Sequence, residues 1–142
     1  MKAARPTPAH LIPKKMLGKD AYSQWLGIEI LTCKLGRVKI GMAIRSDMLN
    51  SMGKAHGGIS YALADTAFGF TANTHGNYAV SIETGISHIE ALHEGDYITA
   101  EATIDLQKTK IGFNIVEVKR GEELVALFKG AVYRTSKKWT GQ

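Results

Sequence analysis

Hydrophobic and polar residues alternate one by one in two early stretches of the chain, 28–33 and 38–45. A period of two residues predicts β-strands, and Leu35-Gly36 between them predicts a hairpin turn. Before them, a short helix is predicted for about Lys14 to Leu26, because Gly27 is a typical residue after a helix end.

The segment 56–75 has a different pattern, in which Ala, Leu and Phe recur on nearly every face of a helix. The pattern predicts one helix from about His56 to His75, with Gly76 as its C-terminal cap. A helix that is apolar almost all round is surrounded by the rest of its protein. We therefore expect this helix to lie at the centre of the fold.

After Gly76 the strand pattern returns and continues. Four strands are predicted: Tyr78 to Ile89, Asp96 to Leu106, Gly112 to Lys119, and Leu124 to Tyr133. The connections between them are short, which favours antiparallel hairpins. The order of helix, two strands, long buried helix and four strands predicts an α+β fold, in which a curled antiparallel sheet wraps around one long central helix.

The length of 142 residues and the 44% hydrophobic content fit one globular domain with a real core. All three prolines lie in residues 1–15, which are expected to form an irregular N-terminal arm. The domain is then predicted to span residues 16–134, with residues 135–142 as a C-terminal tail.

The charge balance and the cysteine content narrow the classes of function. Eighteen basic and 13 acidic residues give a net charge of +5, which suits an anionic small molecule and is too diffuse to indicate nucleic acid. There is no run long enough for a membrane span and no apolar leader segment. Cys33 is the single cysteine, so no intrachain disulfide can form, and the expected location is the reducing cytoplasm.

Asp65 is the most informative residue of the central helix. It is the only charged side chain between Lys54 and Glu83, and its neighbours are Ala and Leu. A carboxylate in apolar surroundings usually has a partner or a chemical role. One interpretation is a narrow polar stripe shared with Thr66; the other is a general base or nucleophile whose pKa is set by burial.

His56-Gly57-Gly58 opens this helix. Free N–H groups in the first turn of a helix bind anions, and the two glycines allow a ligand to approach closely. Aimed at a carbonyl group, such amides stabilise a developing oxyanion. However, eight residues of helix rise about 12 Å, so the Gly57 amide and the Asp65 carboxylate cannot both reach one carbonyl group. Two antiparallel helices could pair Gly57 of one chain with Asp65 of the partner chain. This predicts a homo-oligomer with active sites between its chains: at least a dimer, and a tetramer if two such dimers associate.

The segment from Asn50 through His56-Gly57-Gly58 to Asp65-Thr66-Ala67 resembles the signature of hot-dog-fold acyl-CoA thioesterases, and is most similar to the phenylacetic-acid-degradation (PaaI-type) family. The resemblance covers roughly Leu26 to Tyr133. It implies a hot-dog fold and hydrolysis of an acyl-CoA to a free acid and CoA, with no cofactor because CoA is part of the substrate. Aryl-acetyl and medium-chain acyl groups are both compatible with this resemblance.

The resemblance also implies roles for individual residues. Asp65 matches the catalytic carboxylate and Gly57 the oxyanion-hole amide, while Asn50 and His56 match positions that hold water or the thioester. Ser81 matches a polar residue on a strand that faces the site. Two segments depart from the family pattern: Lys19 lies where the family carries an assisting Asn, and residues 89–92 replace a Phe-Leu-Arg-Pro-like segment.

Several other residues are candidates for contact with substrate or for metal binding. Gly58 is a candidate for contact with substrate, and so are three basic residues that could bind the CoA phosphates: Lys108, Lys110 and Arg134. The remaining histidines show no metal-ligand spacing, so no metal is expected. Two other functions stay open. They are an acyl-CoA hydratase or dehydratase of the same fold, and a non-catalytic acyl-CoA-binding protein.

Overall fold

The computed structural model describes residues 3–140, so the first two residues of the expected arm and the last two of the expected tail lie outside the described residues. After a short 3-10 turn, Ala9–Leu11, the helices and strands follow in this order: α1 Ile12–Leu17, α2 Ala21–Leu26, β1 Glu29–Lys34, β2 Arg37–Ala43, α3 Gly57–Asn73, β3 Asn77–His88, β4 Tyr97–Gln107, β5 Ile111–Arg120 and β6 Glu123–Lys138. A second 3-10 turn, Ser46–Met48, precedes α3.

The six strands form one sheet in the order β1-β2-β4-β5-β6-β3, and all its neighbouring strands are antiparallel. α3 packs against five of them: β2, β3, β4, β5 and β6. The predicted α+β architecture, a curled antiparallel sheet around one central helix, is confirmed. Strand β3 lies at an edge of the sheet, and β6 is its only neighbour within residues 3–140.

The core forms between the inner face of the sheet and α3. Leu63, Ala64 and Ala67 are fully buried, and Phe68 is 1% exposed. Phe68 and Phe128 have ring centroids 5.4 Å apart, which joins α3 to β6. Burying such side chains contributes about 1.5–3 kcal/mol each. The core therefore fixes the position of α3 relative to the strands, and this sets where the first turn of the helix lies.

The single helix predicted for Lys14 to Leu26 is wrong, because the structure has two helices there. α1 begins at Ile12, with Pro13 in its first turn, where a missing N–H costs nothing. The break follows from Asp20, whose side chain accepts the Ser23 N–H at 3.0 Å and so caps a new helix. The predicted end at Gly27 is confirmed, with a left-handed φ of 77°.

The expected arm and tail are more ordered than the sequence pattern suggests. The 3-10 turn and the start of α1 occupy part of residues 1–15, and β6 continues to Lys138. Thr7 N–H donates to the Trp139 carbonyl oxygen at 3.0 Å, so the two ends of the chain lie side by side. Trp139 in turn stacks on Tyr78 with centroids 4.1 Å apart.

Candidate active site at the start of the central helix

The backbone N–H groups in the first turn of α3 differ in whether the helix cap uses them. His56 is the N-cap residue, and its Nδ1 accepts the Gly58 N–H at 2.9 Å. The Gly58 amide is therefore committed to the cap instead of being available to a ligand. The Gly57 N–H has no acceptor within residues 3–140. Since the N-terminal end of a helix is electropositive, this amide is suited to an oxyanion.

A cavity of about 300 Å³ opens beside this amide. Asn50, Gly57, Ser60 and His88 contribute to its wall, together with the segment 89–92. The Ala55 N–H donates to the Leu92 carbonyl oxygen at 2.8 Å, which ties that segment to the start of α3. The structure thus brings the predicted Asn50 and Gly57 to one cavity.

Asn50 closes the loop before α3. Its Oδ1 accepts the N–H groups of Met52 and Lys54 at 2.9 and 3.1 Å. The side-chain oxygen is therefore occupied, while the Nδ2 group makes no hydrogen bond within the described part of the chain. Asn50 can consequently serve a ligand in this cavity as a donor.

Asp65 lies two turns further along α3, half-buried beside the fully buried Leu63 and Ala64. Burial raises the pKa of its carboxyl group above the ordinary value. Its carboxylate has no hydrogen-bond or ion-pair partner among residues 3–140, which leaves it available to accept a proton. It is eight residues from Gly57 and is not part of that cavity wall.

Ser81 is not brought to the cavity within one chain. It lies exposed on the edge strand β3, paired with Val132, whereas the cavity meets β3 at His88. Seven residues of extended strand span about 20 Å. The role that the family resemblance implies for Ser81 therefore has no support from the geometry of a single protomer.

The basic residues lie at the opposite end of the sheet. Arg134 Nη1 donates to the Lys108 carbonyl oxygen at 2.9 Å, and the Arg134 N–H donates to that of Lys110 at 2.6 Å. These three residues therefore lie together. However, the cavity reaches only Leu92, close to the start of β4, and the 11 residues of that strand span roughly 30 Å. Within one protomer they cannot contact a thioester at Gly57.

Ser60 and His88 form a pair that the sequence pattern did not reveal. Ser60 Oγ lies 3.3 Å from His88 Nδ1 and 3.2 Å from the Gly57 carbonyl oxygen. From its sequence position, His88 was a candidate only for metal binding, and its spacing does not fit that role. No local signal could have joined the two residues, because 28 positions separate them and only the packing of α3 on β3 brings them together.

Three further structural features concern alternative functions. A larger cavity of about 410 Å³ lies over β3, β4, β5 and β6, and none of the predicted site residues lines it. Across residues 3–140 there is no cluster of three or more His, Cys, Asp or Glu side chains that could hold a metal ion. In the same range, every helix is too short or too polar to cross a membrane.

Comparison with known proteins identifies a matching family and similar relatives that cover most of the chain. The model of the family described as the thioesterase superfamily matches residues 52–127, just over half of the chain. The acyl-coenzyme A thioesterase PaaI of Escherichia coli K12 is 34% identical over 128 residues, which cover 89% of this chain and 91% of that protein.

Two solved structures are similar throughout the fold. The E. coli PaaI protein from the phenylacetic acid degradation operon matches with a TM-score of 0.87 at 32% identity, covering 91% of this chain and 94% of that one. A point mutant of the phenylacetic acid degradation protein PaaI from Thermus thermophilus matches with a TM-score of 0.79 at 34% identity, covering 82% of this chain and 100% of that one.

Proposed function

The chain belongs to the thioesterase superfamily, and from this we propose that it hydrolyses acyl-coenzyme A thioesters to the free acid and coenzyme A. One observation carries the proposal: a half-buried carboxylate without a partner among residues 3–140, Asp65, lies on the helix whose first amide, Gly57, is also unpaired there. The curated relative that is named an acyl-coenzyme A thioesterase supports the same reaction class.

The proposed reaction uses these two groups in complementary roles. The thioester oxygen accepts the Gly57 N–H, so the charge that develops on it faces the positive end of α3. Asp65 either removes a proton from the attacking water or attacks the carbonyl carbon itself. Its raised pKa makes it a stronger base than an exposed carboxylate. Water is the only co-substrate that either route requires, and no cofactor is needed.

We propose that two protomers complete each site, because the two groups are about 12 Å apart along one helix. The free edge of β3 exposes Val80 and Ile82 by 53% and 57%, and an unpaired edge strand is a template for a second chain. The centre of β3 lies between Ile82 and Glu83. A two-fold axis there would pair the strand antiparallel with its copy.

The position of α3 relative to the centre of β3 supports such an axis. Tyr61, midway between Gly57 and Asp65, makes a short hydroxyl contact with Thr84, which sits close to the centre of β3. One axis at this level would therefore pair both the strands and the helices. It would bring the Gly57 of each protomer towards the partner's Asp65, giving two equivalent sites.

The same arrangement gives the distant basic residues a role. Antiparallel pairing of β3 with its copy would place the His88 end of one strand beside the Asn77 end of the other. Within a protomer, Asn77 and Ala79 pair with Lys138 and Arg134 of β6. The partner's Lys108, Lys110 and Arg134 would then flank this protomer's cavity, where their charges suit the phosphates of coenzyme A.

The finer parts of the proposal concern substrate, assembly and location. We propose an aryl-acetyl acyl group, because the proteins named for phenylacetic acid degradation are among the similar structures. The dimers are proposed to associate further into tetramers. A reducing cytoplasm is proposed because the one cysteine, Cys33, is a free thiol.

A panel of acyl-CoA thioesters assayed for thiol release tests the function. The panel includes phenylacetyl-CoA, hydroxyphenylacetyl-CoA and medium-chain acyl-CoAs, with hydration of an enoyl-CoA measured in parallel. Thiol release that is lost in Asp65→Asn supports the proposal. Hydration without thiol release would make the protein a hydratase, and tight acyl-CoA binding with neither reaction would make it a binding protein.

A further inference from the structure

The contacts of Ser60 engage one nitrogen of His88 and leave the other free. Ser60 Oγ lies 3.2 Å from the Gly57 carbonyl oxygen, which can only accept, so the hydroxyl donates its single proton there. The same oxygen lies 3.3 Å from His88 Nδ1, and when the Ser60 proton is directed to the Gly57 carbonyl oxygen it accepts the Nδ1 proton. Nδ1 is thus the nitrogen engaged by Ser60, and Nε2 has no hydrogen-bond partner within residues 3–140.

His88 Nε2 faces the start of α3. It lies 3.1 Å from the position that a β-carbon on Gly57 would occupy, so it covers one side of the Gly57 α-carbon. The free Gly57 N–H is one bond from that α-carbon. A carbonyl oxygen accepting this N–H would lie about 2.9 Å from the nitrogen. His88 and Gly57 also line the same cavity.

We propose that His88 donates the proton that the sulfur of coenzyme A receives as it leaves. This inference rests on the hydrolysis proposed above. Asp65 supplies the carboxylate for attack on the carbonyl carbon, and no other residue has yet been assigned to the leaving group. His88 is placed for that task beside the Gly57 amide, and Ser60 is a positioning residue that fixes its ring.

Direct attack by water consumes one water molecule and no other reagent. Asp65 takes one proton from water as the oxygen bonds to the carbonyl carbon. The carbon–sulfur bond then breaks, its electron pair goes to sulfur, and the proton of His88 Nε2 moves to sulfur to give the thiol. The imidazole is left neutral, with its proton on Nδ1. The proton held by Asp65 passes through solvent back to the imidazole, so the products are one acid and one thiol.

A proton donor to sulfur has a specific kinetic signature. An alkyl thiolate such as that of coenzyme A is a basic leaving group and benefits from protonation, whereas a nitrophenyl thiolate is stable without it. The probes are therefore two thioesters with the same phenylacetyl group, one of N-acetylcysteamine and one of 4-nitrothiophenol. Neither carries the nucleotide, so the basicity of the thiol is their main chemical difference.

The variants are His88→Phe, which removes the ring nitrogens, and His88→Gln, which keeps a hydrogen-bonding amide that cannot transfer a proton. Each should lower kcat/KM for the alkyl thioester by about 10²-fold or more, as expected for loss of a general acid, and change kcat/KM for the aryl thioester far less. Ser60→Ala should give a smaller loss with the same preference. His10→Gln, at an exposed histidine of the N-terminal turn, is the matched control and should change neither.

The outcomes separate this inference from the proposed function. Equal losses on both thioesters, or no loss on either in a folded variant, would overturn the role of His88 while leaving thioester hydrolysis in place. A wild-type protein that cleaves neither the two probes nor any acyl-CoA would overturn the proposed function, and the inference with it. Unfolding of both His88 variants, seen by circular dichroism, together with no leaving-group preference in Ser60→Ala, would show that the pair is structural.

Discussion

The Asp65 carboxylate and the Gly57 amide lie eight residues apart on one helix, and neither has a hydrogen-bond partner within residues 3–140. A rise of about 12 Å separates them, which is too far for joint action on one carbonyl group. Both groups are nevertheless well suited to thioester hydrolysis, one as a donor and one as a base. Their separation is the reason why the proposed active site needs two chains.

Replacing Asp65 by Asn should lower kcat/KM for acyl-CoA hydrolysis at least about 10²-fold, because an amide can neither take a proton from water nor attack the carbonyl carbon. The change keeps size and shape, so the fold should persist. Thiol release measured beside circular dichroism checks both points. A folded Asp65→Asn protein that retains more than about a tenth of wild-type kcat/KM would exclude Asp65 as the catalytic carboxylate.

The same residue should make stability depend on pH in a defined direction. Burial raises the folded-state pKa of Asp65, so its contribution is fully present below the unfolded pKa and is lost as pH rises through the folded pKa. Asp65→Asn should therefore unfold at a similar urea concentration near pH 3.5 and at a higher one than wild type near pH 7. If wild type gains stability over Asp65→Asn as pH rises, the carboxylate has an unseen partner.

Two inactive variants should restore activity when mixed. Gly57→Pro deletes the N–H at the first helical position, where proline is well tolerated, and His56 already has the extended ψ of 137° that a following proline requires. Refolding this variant with Asp65→Asn should yield mixed dimers with one intact site each, about a quarter of all sites if pairing is random. Activity assays and light scattering measure the result.

The control for that experiment is each variant refolded alone, which should stay inactive. Full activity in a wild-type monomer would contradict the two-chain site. So would a mixture that stays inactive although mass spectrometry shows mixed dimers.

His56 offers a test of the first turn of α3. Because its Nδ1 caps the Gly58 N–H, His56→Ala should destabilise the protein by about 1 kcal/mol, while His56→Asn should retain most of the cap. Urea unfolding measures the difference. If Asn restores stability but not activity, the imidazole serves the substrate as well as the helix. Equal stability of the Ala and Asn variants would show that the cap contributes little.

The sequence by itself determined the architecture, because each element carried its own pattern. Alternation indicated the strands, and a helix apolar on nearly every face, 56–75, had to be enclosed by the sheet. The break between α1 and α2 was missed, since the cap at Asp20 competes locally with a pattern that also allows one continuous helix. Such competition is decided by small energy differences.

The two residues at the centre of the proposed site could also be singled out from sequence, for local reasons. Asp65 is an isolated charge among apolar neighbours, and Gly57 follows a histidine at a helix start. Relationships between distant segments could not be found. The distance of Arg134 from Gly57 follows from the length and direction of β4, and the contact of Ser60 with His88 follows from how α3 crosses β3. Local patterns set which elements form, but only their packing around a shared core decides which side chains meet.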